Sequence, residues 1–400
     1  MKITLKSIFL LFLFCLFLID CSNEVQKQTS FLSIDFEQCL KNEKTIKISE
    51  IADTVEYLKL KTPKDIIISR IGDVYSTDEY WIIRSISGVS LFTKNGDWVR
   101  QIGKKGQGPG EYIQIRGVDF NPATHEILIA DAQQILFYDL EGNFLRNVKM
   151  VEDYYFNIAI SDTVLWTTGL GIHMEKYQVY SFNCKRDTLS AFPNPHYGMQ
   201  VKNSDGVYFS HTRWEKEFYR NKNGLYLKQK PAHDTVYWLS GSKRIPHIAF
   251  NMGKYKLPIE YEYWFSTNDH DRYGSSYWGI SSLVEDDRYL FLLSLRRTSL
   301  SRTQRLEDDF RYIVYDKKTE SGFSAKGKEG SQIIDDILGG PTIWPRFMTD
   351  DYYIWTIEWY EILDGVREGV YNLSPALKKQ FDSFDYGTNE LLILAKKKKK

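Results

Sequence analysis

Four hundred residues are enough for two ordinary domains or one large repeat fold. The 52 basic and 52 acidic side chains cancel, which excludes nucleic-acid binding by bulk positive charge, because counterion release needs a basic surface. Hydrophobic content of 42% beside 26% charged excludes wholesale disorder, and 15% aromatic residues suit a strand-rich fold.

The chain opens with Lys2 and Lys6, followed by an unbroken apolar run from Ile8 to Ile19. Twelve residues are too few to span a bilayer, which takes about 20, and fit the h-region of an export signal. The run ends at Leu18-Ile19-Asp20-Cys21, and a Cys at that place resembles a bacterial lipobox, although Asp20 stands where a small residue is usual. The resemblance implies acylation of Cys21 and a membrane anchor. Multiple acyl chains would make that anchoring stable. The alternative is a soluble secreted protein with a chance cysteine. On the lipoprotein reading, residues 1–20 are the signal peptide and 21–40 a polar tether. Ser22-Asn23-Glu24 resembles the surface-export signal of Bacteroidetes lipoproteins. After Cys15 leaves with the signal, Cys39 and Cys184 remain, and spacing does not say whether they pair.

From residue 41 to 395 the pattern is periodic. Leu91-Phe92-Thr93-Lys94-Asn95-Gly96-Asp97-Trp98-Val99-Arg100 aligns with Phe137-Tyr138-Asp139-Leu140-Glu141-Gly142-Asn143-Phe144-Leu145-Arg146 at an offset of 46 residues. Each reads strand, polar turn with Gly, strand. Arg311 to Lys318 repeats the motif about four periods later. Four short strands in about 45 residues is the period of a β-propeller blade. Apolar residues alternate with period two and no segment carries a sustained helical stripe, so the fold class is all-β. The period allows six or seven blades.

Gly103-Lys104-Lys105-Gly106-Gln107-Gly108-Pro109-Gly110-Glu111-Tyr112, with Arg116-Gly117-Val118-Asp119-Phe120 and Ile129-Ala130-Asp131, resembles NHL-type repeats. More narrowly, the chain resembles the six-bladed β-propeller lipoproteins of Bacteroidetes, and His233 to Leu239 and Asp335 to Pro341 fit the same family. The resemblance implies six four-stranded blades. Leu391 to Leu394 reads as a terminal apolar strand, expected to close the ring beside the N-terminal segment near Thr45 to Ile48. Blades four and five carry long insertions. Residues 396–400, all Lys, read as a solvated tail. Without that tail the mature body has a net charge of −6.

Candidate chemistry is sparse. The Gly-rich loop does not lead into a Gly-Lys-Ser/Thr helix start, so its glycines read as backbone geometry rather than a phosphate cradle. The seven His form no HExxH, and no Gly-x-Ser-x-Gly elbow exists. No cofactor is expected. Asp335 and Asp336 offer a metal site at the central channel, against turn chemistry as the plainer reading. Residues 255–278 are rich in aromatics, and Tyr263, Trp264, Tyr277 and Trp278 are candidate ligand-binding residues, against inter-blade packing. The expected function is a lipid-anchored envelope or surface propeller. It binds a glycan, a peptide or an envelope protein without catalysis and has no nucleic-acid partner. The alternative is a metal-dependent propeller hydrolase or lactonase.

Overall fold

The computed structural model describes residues 31–131, 133–150, 155–169, 175–195, 197–198, 216–229, 233–258, 276–297, 308–325, 332–384 and 389–398. They form a six-bladed β-propeller. Blades 1 to 5 begin at Asp73, Gly117, Tyr155, Phe218 and Gly279, and each adds four antiparallel strands in chain order. The first strand of each blade is the inner one. These strands neighbour one another around the axis, and Tyr75 Oη of blade 1 donates to the Val118 carbonyl of blade 2 at 2.5 Å.

Blade 6 takes Phe347–Met348, Tyr352–Ile357 and Leu391–Lys397 from the C-terminal part and Ala52–Leu58 as its outer strand. The ring therefore closes through both ends of the chain, as expected, but the N-terminal partner is Ala52–Leu58 and not Thr45 to Ile48. Lys47 only bridges to Ile334, and Ile48–Ile51 is a helical turn. Closure in one sheet leaves no open seam.

Two boundaries move. Residues 32–40, expected in the tether, are part of the fold. Leu32–Asp35 adds a parallel fifth strand to blade 4, and the Phe36–Lys41 helix buries Phe36 and Cys39. Asp35 caps that helix by accepting from the Gln38 amide at 3.0 Å. Glu43–Lys44 then adds a parallel strand to blade 5. The supposed Lys tail also starts too early, because Lys396 and Lys397 are strand residues paired with Tyr352, Thr54 and Ala52. A strand is set by ladder hydrogen bonds as well as by hydrophobicity, so two lysines at its end continue it. Cys39 and Cys184 are both free thiols. Burial pushes the Cys39 thiol up to about 12.

The core is divided between the blades. Six apolar clusters each fill one interface between successive blades, and blade 6 shares one with blade 1. Neighbouring residues of one strand serve different interfaces: Leu128 faces blade 3 and Ile127 faces blade 1. The middle strands are thus covered on both sides and read as continuous apolar runs, as in Glu126–Ala130, whereas the outer Phe144–Lys149 is mostly exposed. No described helix is long and apolar enough to cross a membrane.

Strand order gives the ring two distinct faces. Turns joining the first to the second strand and the third to the fourth form the hairpin face. Connections from the second to the third strand, and from one blade to the next, form the connection face.

Candidate functional site

The inner strands place three buried carboxylates near the axis: Asp73, Asp119 and Glu285. Each is neutralised from another strand or blade. Asp73 takes Arg84 Nε of its own blade and Lys216 Nζ at 2.8 Å. Lys216 leads into blade 4, on the far side of the ring, so this pair crosses the channel. Its ammonium also donates to Tyr75 Oη at 2.6 Å. Asp119 accepts from the Ile160 amide at 2.8 Å and from Arg220 at 3.0 Å, tying blades 2, 3 and 4. Glu285 accepts from Tyr219 Oη at 2.6 Å, lies 2.9 Å from His247 Nε2 and pairs with Lys317. Burial would raise the carboxyls of Asp73 and Glu285. The cations beside them outweigh it and hold both below the usual carboxylate range. The channel therefore spends its charge on joining blades.

The metal candidates lie elsewhere. Asp335 is 2% exposed and accepts from Tyr57 Oη at 2.8 Å and from the amides of Ile337, Leu338 and Gly340 at 2.9–3.3 Å. Asp336 accepts from the amide and hydroxyl of Ser49 at 3.0 and 2.6 Å. Tyr57 and Ser49 belong to the outer side of blade 6, so both carboxylates hold the N-terminal segment there and neither faces the channel. Among the described residues, no three His, Cys, Asp or Glu side chains gather as metal ligands.

Of the aromatic candidates, Tyr263 and Trp264 lie outside the described residues. Tyr277 is half-buried. Trp278 is 4% exposed in the cluster between blades 4 and 5, with Arg296 and Arg311 cations 5.0 and 5.5 Å from its ring. Its amide donates to the Tyr255 carbonyl at 2.8 Å. The four candidates are thus not gathered into one described site, and Trp278 packs.

The Gly-rich loop is built around its own anion. The Gly108 amide donates to Glu111 Oε2 at 2.8 Å, and Lys104 pairs with the same carboxylate at 3.0 Å. Gly103 and Gly110 sit at φ of +63° and +71°. A Cβ on Gly106 would stand 1.9 Å from Glu111 Oε2. Glu111 thus takes the Gly108 amide and the Lys104 ammonium that an anion would use.

An open cleft of about 310 Å³ lies on the hairpin face, where blades 4, 5 and 6 meet. Asn221 and Lys222 come from the blade 4 turn, Asp286 to Tyr289 from blade 5, and Met348, Asp350 and Tyr353 from blade 6. Ring closure adds Glu50, Lys397 and Lys398. Asp286 is fixed by the amides of Arg288 and Tyr289 at 2.8 and 2.7 Å, and its other oxygen accepts from Tyr353 Oη. Lys397 Nζ stands 3.7 Å from that oxygen and 5.0 Å from the Tyr353 ring centroid. Burial pulls the Lys397 ammonium below its ordinary value. Lys222 pairs with Asp287 across the rim. The cleft therefore offers alternating carboxylates and cations over a Tyr and Met floor, a lining that suits a polar, hydrogen-bonding ligand. Sequence reasoning missed it. The Asp286-Asp287 pair and the lysine run were both visible, but only the closing strand brings residue 397 beside residue 286.

The chain belongs to the family described as Domain of unknown function (DUF4934), which matches residues 31–396. No protein of curated function matches the sequence. Among solved structures, a Bacteroides fragilis protein named as exported is similar, with a TM-score of 0.67 at 17% identity, covering 92% of this chain and 100% of that one. The extracellular domain of a one-component system from B. thetaiotaomicron matches with a TM-score of 0.35 at 12% identity, over 72% of this chain and 37% of that one. A protein of unknown function from Bacteroides caccae matches with a TM-score of 0.34 at 10% identity, over 64% and 87%. The first of these likenesses supports the propeller fold.

Proposed function

We propose that this member of the DUF4934 family is a binding propeller of the bacterial envelope, exported by its N-terminal apolar segment and anchored through an acylated Cys21. It binds a polar ligand, a glycan or a peptide, in the cleft between the turns of blades 4, 5 and 6. The observation that carries the reading is the contrast between channel and cleft. The channel's buried charges are consumed by one another, whereas the cleft opens to solvent with Asp350 and Lys398 exposed at its rim. A rigid ring with a shallow polar site suits recognition without a reaction. Export and anchoring rest on Lys2, Lys6, the Ile8 to Ile19 run and the Cys that follows it. The Bacteroides fragilis relative named as exported supports the same compartment.

The ligand is tested with the full chain on an array of glycans and peptides, repeated with Asp287→Ala and Asp350→Ala together. Loss of the hits in the variant is expected. Hits unchanged by it would place the site elsewhere. Mass spectrometry of the mature N-terminus is expected to show lipid on Cys21, and an unmodified later start would refute the anchor.

A further inference from the structure

Among the described residues, the large apolar side chains most exposed on the connection face include three that come from distant segments. Ile67 lies in the connection entering blade 1, Ile86 in the turn between its second and third strands, and Tyr360 in the helix Trp359–Arg367 inserted into blade 6. They are 63, 65 and 61% exposed.

These segments are locked together. The Ile86 amide donates to the Ser69 carbonyl at 3.2 Å. The Ile68 amide donates to Asn389 Oδ1 at 2.9 Å, and the Glu390 amide returns a bond to the Ile68 carbonyl at 3.0 Å. The Arg70 amide donates to Glu358 at 3.3 Å and the Ile71 amide to Glu390 at 2.8 Å. The apolar residues therefore stand on a braced platform, and a partner would lose little to ordering it.

The rim is acidic. Glu358, Glu361, Asp364 and Glu368 lie on or beside the inserted helix and Asp65 beside Ile67, against Arg367 on the same stretch, Lys64 and Arg70 on the blade 1 side and Arg346, whose charge reaches Glu390, so acidic groups are in excess. Burial raises the Glu361 carboxyl, and Glu358 beside it raises it further. Cations from outside would relieve that repulsion.

We propose that this surface between blades 6 and 1 docks a protein partner that presents apolar side chains flanked by Lys or Arg. Charge complementarity selects that occupant. A second copy related by two-fold symmetry would set acidic rim against acidic rim, and an anionic bilayer would repel it in the same way.

The test uses the full chain and a fluorescein-labelled helical peptide of alternating Leu and Lys, with a Leu/Glu peptide and an equally charged Gly/Ser/Lys peptide as controls. Binding of the Leu/Lys peptide is expected to weaken about tenfold in Ile67→Ser with Ile86→Ser, and to weaken and lose salt sensitivity in Glu361→Lys with Asp364→Lys. The wild-type melting temperature should persist in both variants. Equal binding of either control peptide, or no loss in either variant, overturns the proposal. So does a wild-type dimer that the serine pair dissociates, which would give the surface to a second copy. Co-sedimentation with phosphatidylcholine vesicles that the serine pair abolishes would give it to a membrane.

Discussion

The two faces of the ring are made of different material. On the hairpin face, short turns close on their own side chains. Asn121, Asp139, Asn183, Asn221, Asp286 and Asp316 each accept an amide from two to four residues ahead. Thr77, Thr93 and Thr349 do the same in blades 1 and 6. On the connection face, Ile67, Ile86, Ile113, Tyr197, Tyr360 and Val370 stand exposed. Among the described residues, no comparable side chain occupies a hairpin turn. The reason is geometric. A hairpin must hold the register of two paired strands, whereas a connection between sheets needs only to reach. Polar recognition therefore fits the first face and apolar docking the second.

The largest effects are expected in the joints between blades, which buried charges hold together beneath the hairpin face and apolar packing holds toward the connection face. Glu285→Ala leaves Lys317 and His247 facing an empty, buried site and is expected to cost about 3–5 kcal/mol. The pH dependence has a definite sign. Glu285 is held below the usual glutamate range in the folded state, so its stabilisation is complete above the unfolded value of about 4.3 and is lost as pH falls below it. Guanidinium midpoints at pH 7 and pH 3.5 measure this, and Glu285→Gln should show the smaller difference between them. Equal acid sensitivity would mean that the cluster does not join the blades. Trp278→Ala, at the blade 4 and 5 interface, is expected to cost a similar 3–5 kcal/mol. A stable variant with altered ligand binding would return that ring to recognition.

The blade period and the hairpins at Asn95-Gly96 and Glu141-Gly142 were legible because they are written in local turn chemistry and strand spacing. Gly96 and Gly142 indeed adopt φ of +82° and +83°. What was not legible depends on partners distant in sequence. The outer strand Leu32–Asp35 looked like tether because a parallel edge strand of four residues has no hairpin to announce it. Asp335 reads the same whether it meets a metal or Tyr57. Lys397 looked like tail until the closing sheet brought it to Asp286. The candidate site is therefore a product of ring closure, which no local pattern encodes.

An intermediate effect tests the connection side. Gly110→Val must place a branched side chain at φ +71° with its Cβ 2.7 Å from the Phe144 ring, and should destabilise by about 1–3 kcal/mol. Tight nucleotide binding by the wild type, lost in this variant, would instead make the loop an anion site. By contrast Ile67→Ser with Ile86→Ser should stay within about 0.5 kcal/mol of wild type, because those side chains are mostly in water. A larger loss would mean that they pack and cannot dock.

The smallest effect on stability is expected at the cleft itself. Lys222 and Asp287 pair at its rim with side chains 55 and 25% exposed, and Asn223 donates to the same carboxylate at 3.2 Å. Exposed pairs of this kind are worth about 0–1 kcal/mol, so Asp287→Ala should move the melting temperature little. Its neighbour Asp286 differs, since amides, Tyr353 and Lys397 all converge on it, and it serves as the internal control for a carboxylate that is structural. If the hairpin face recognises a polar ligand, Asp287→Ala lowers affinity while Asp286→Ala lowers both affinity and stability. Thermal melts and titration calorimetry on the two variants separate these outcomes. Equal destabilisation by both would make the whole rim part of the blade joints, and the polar site would then have to be sought away from the hairpin face.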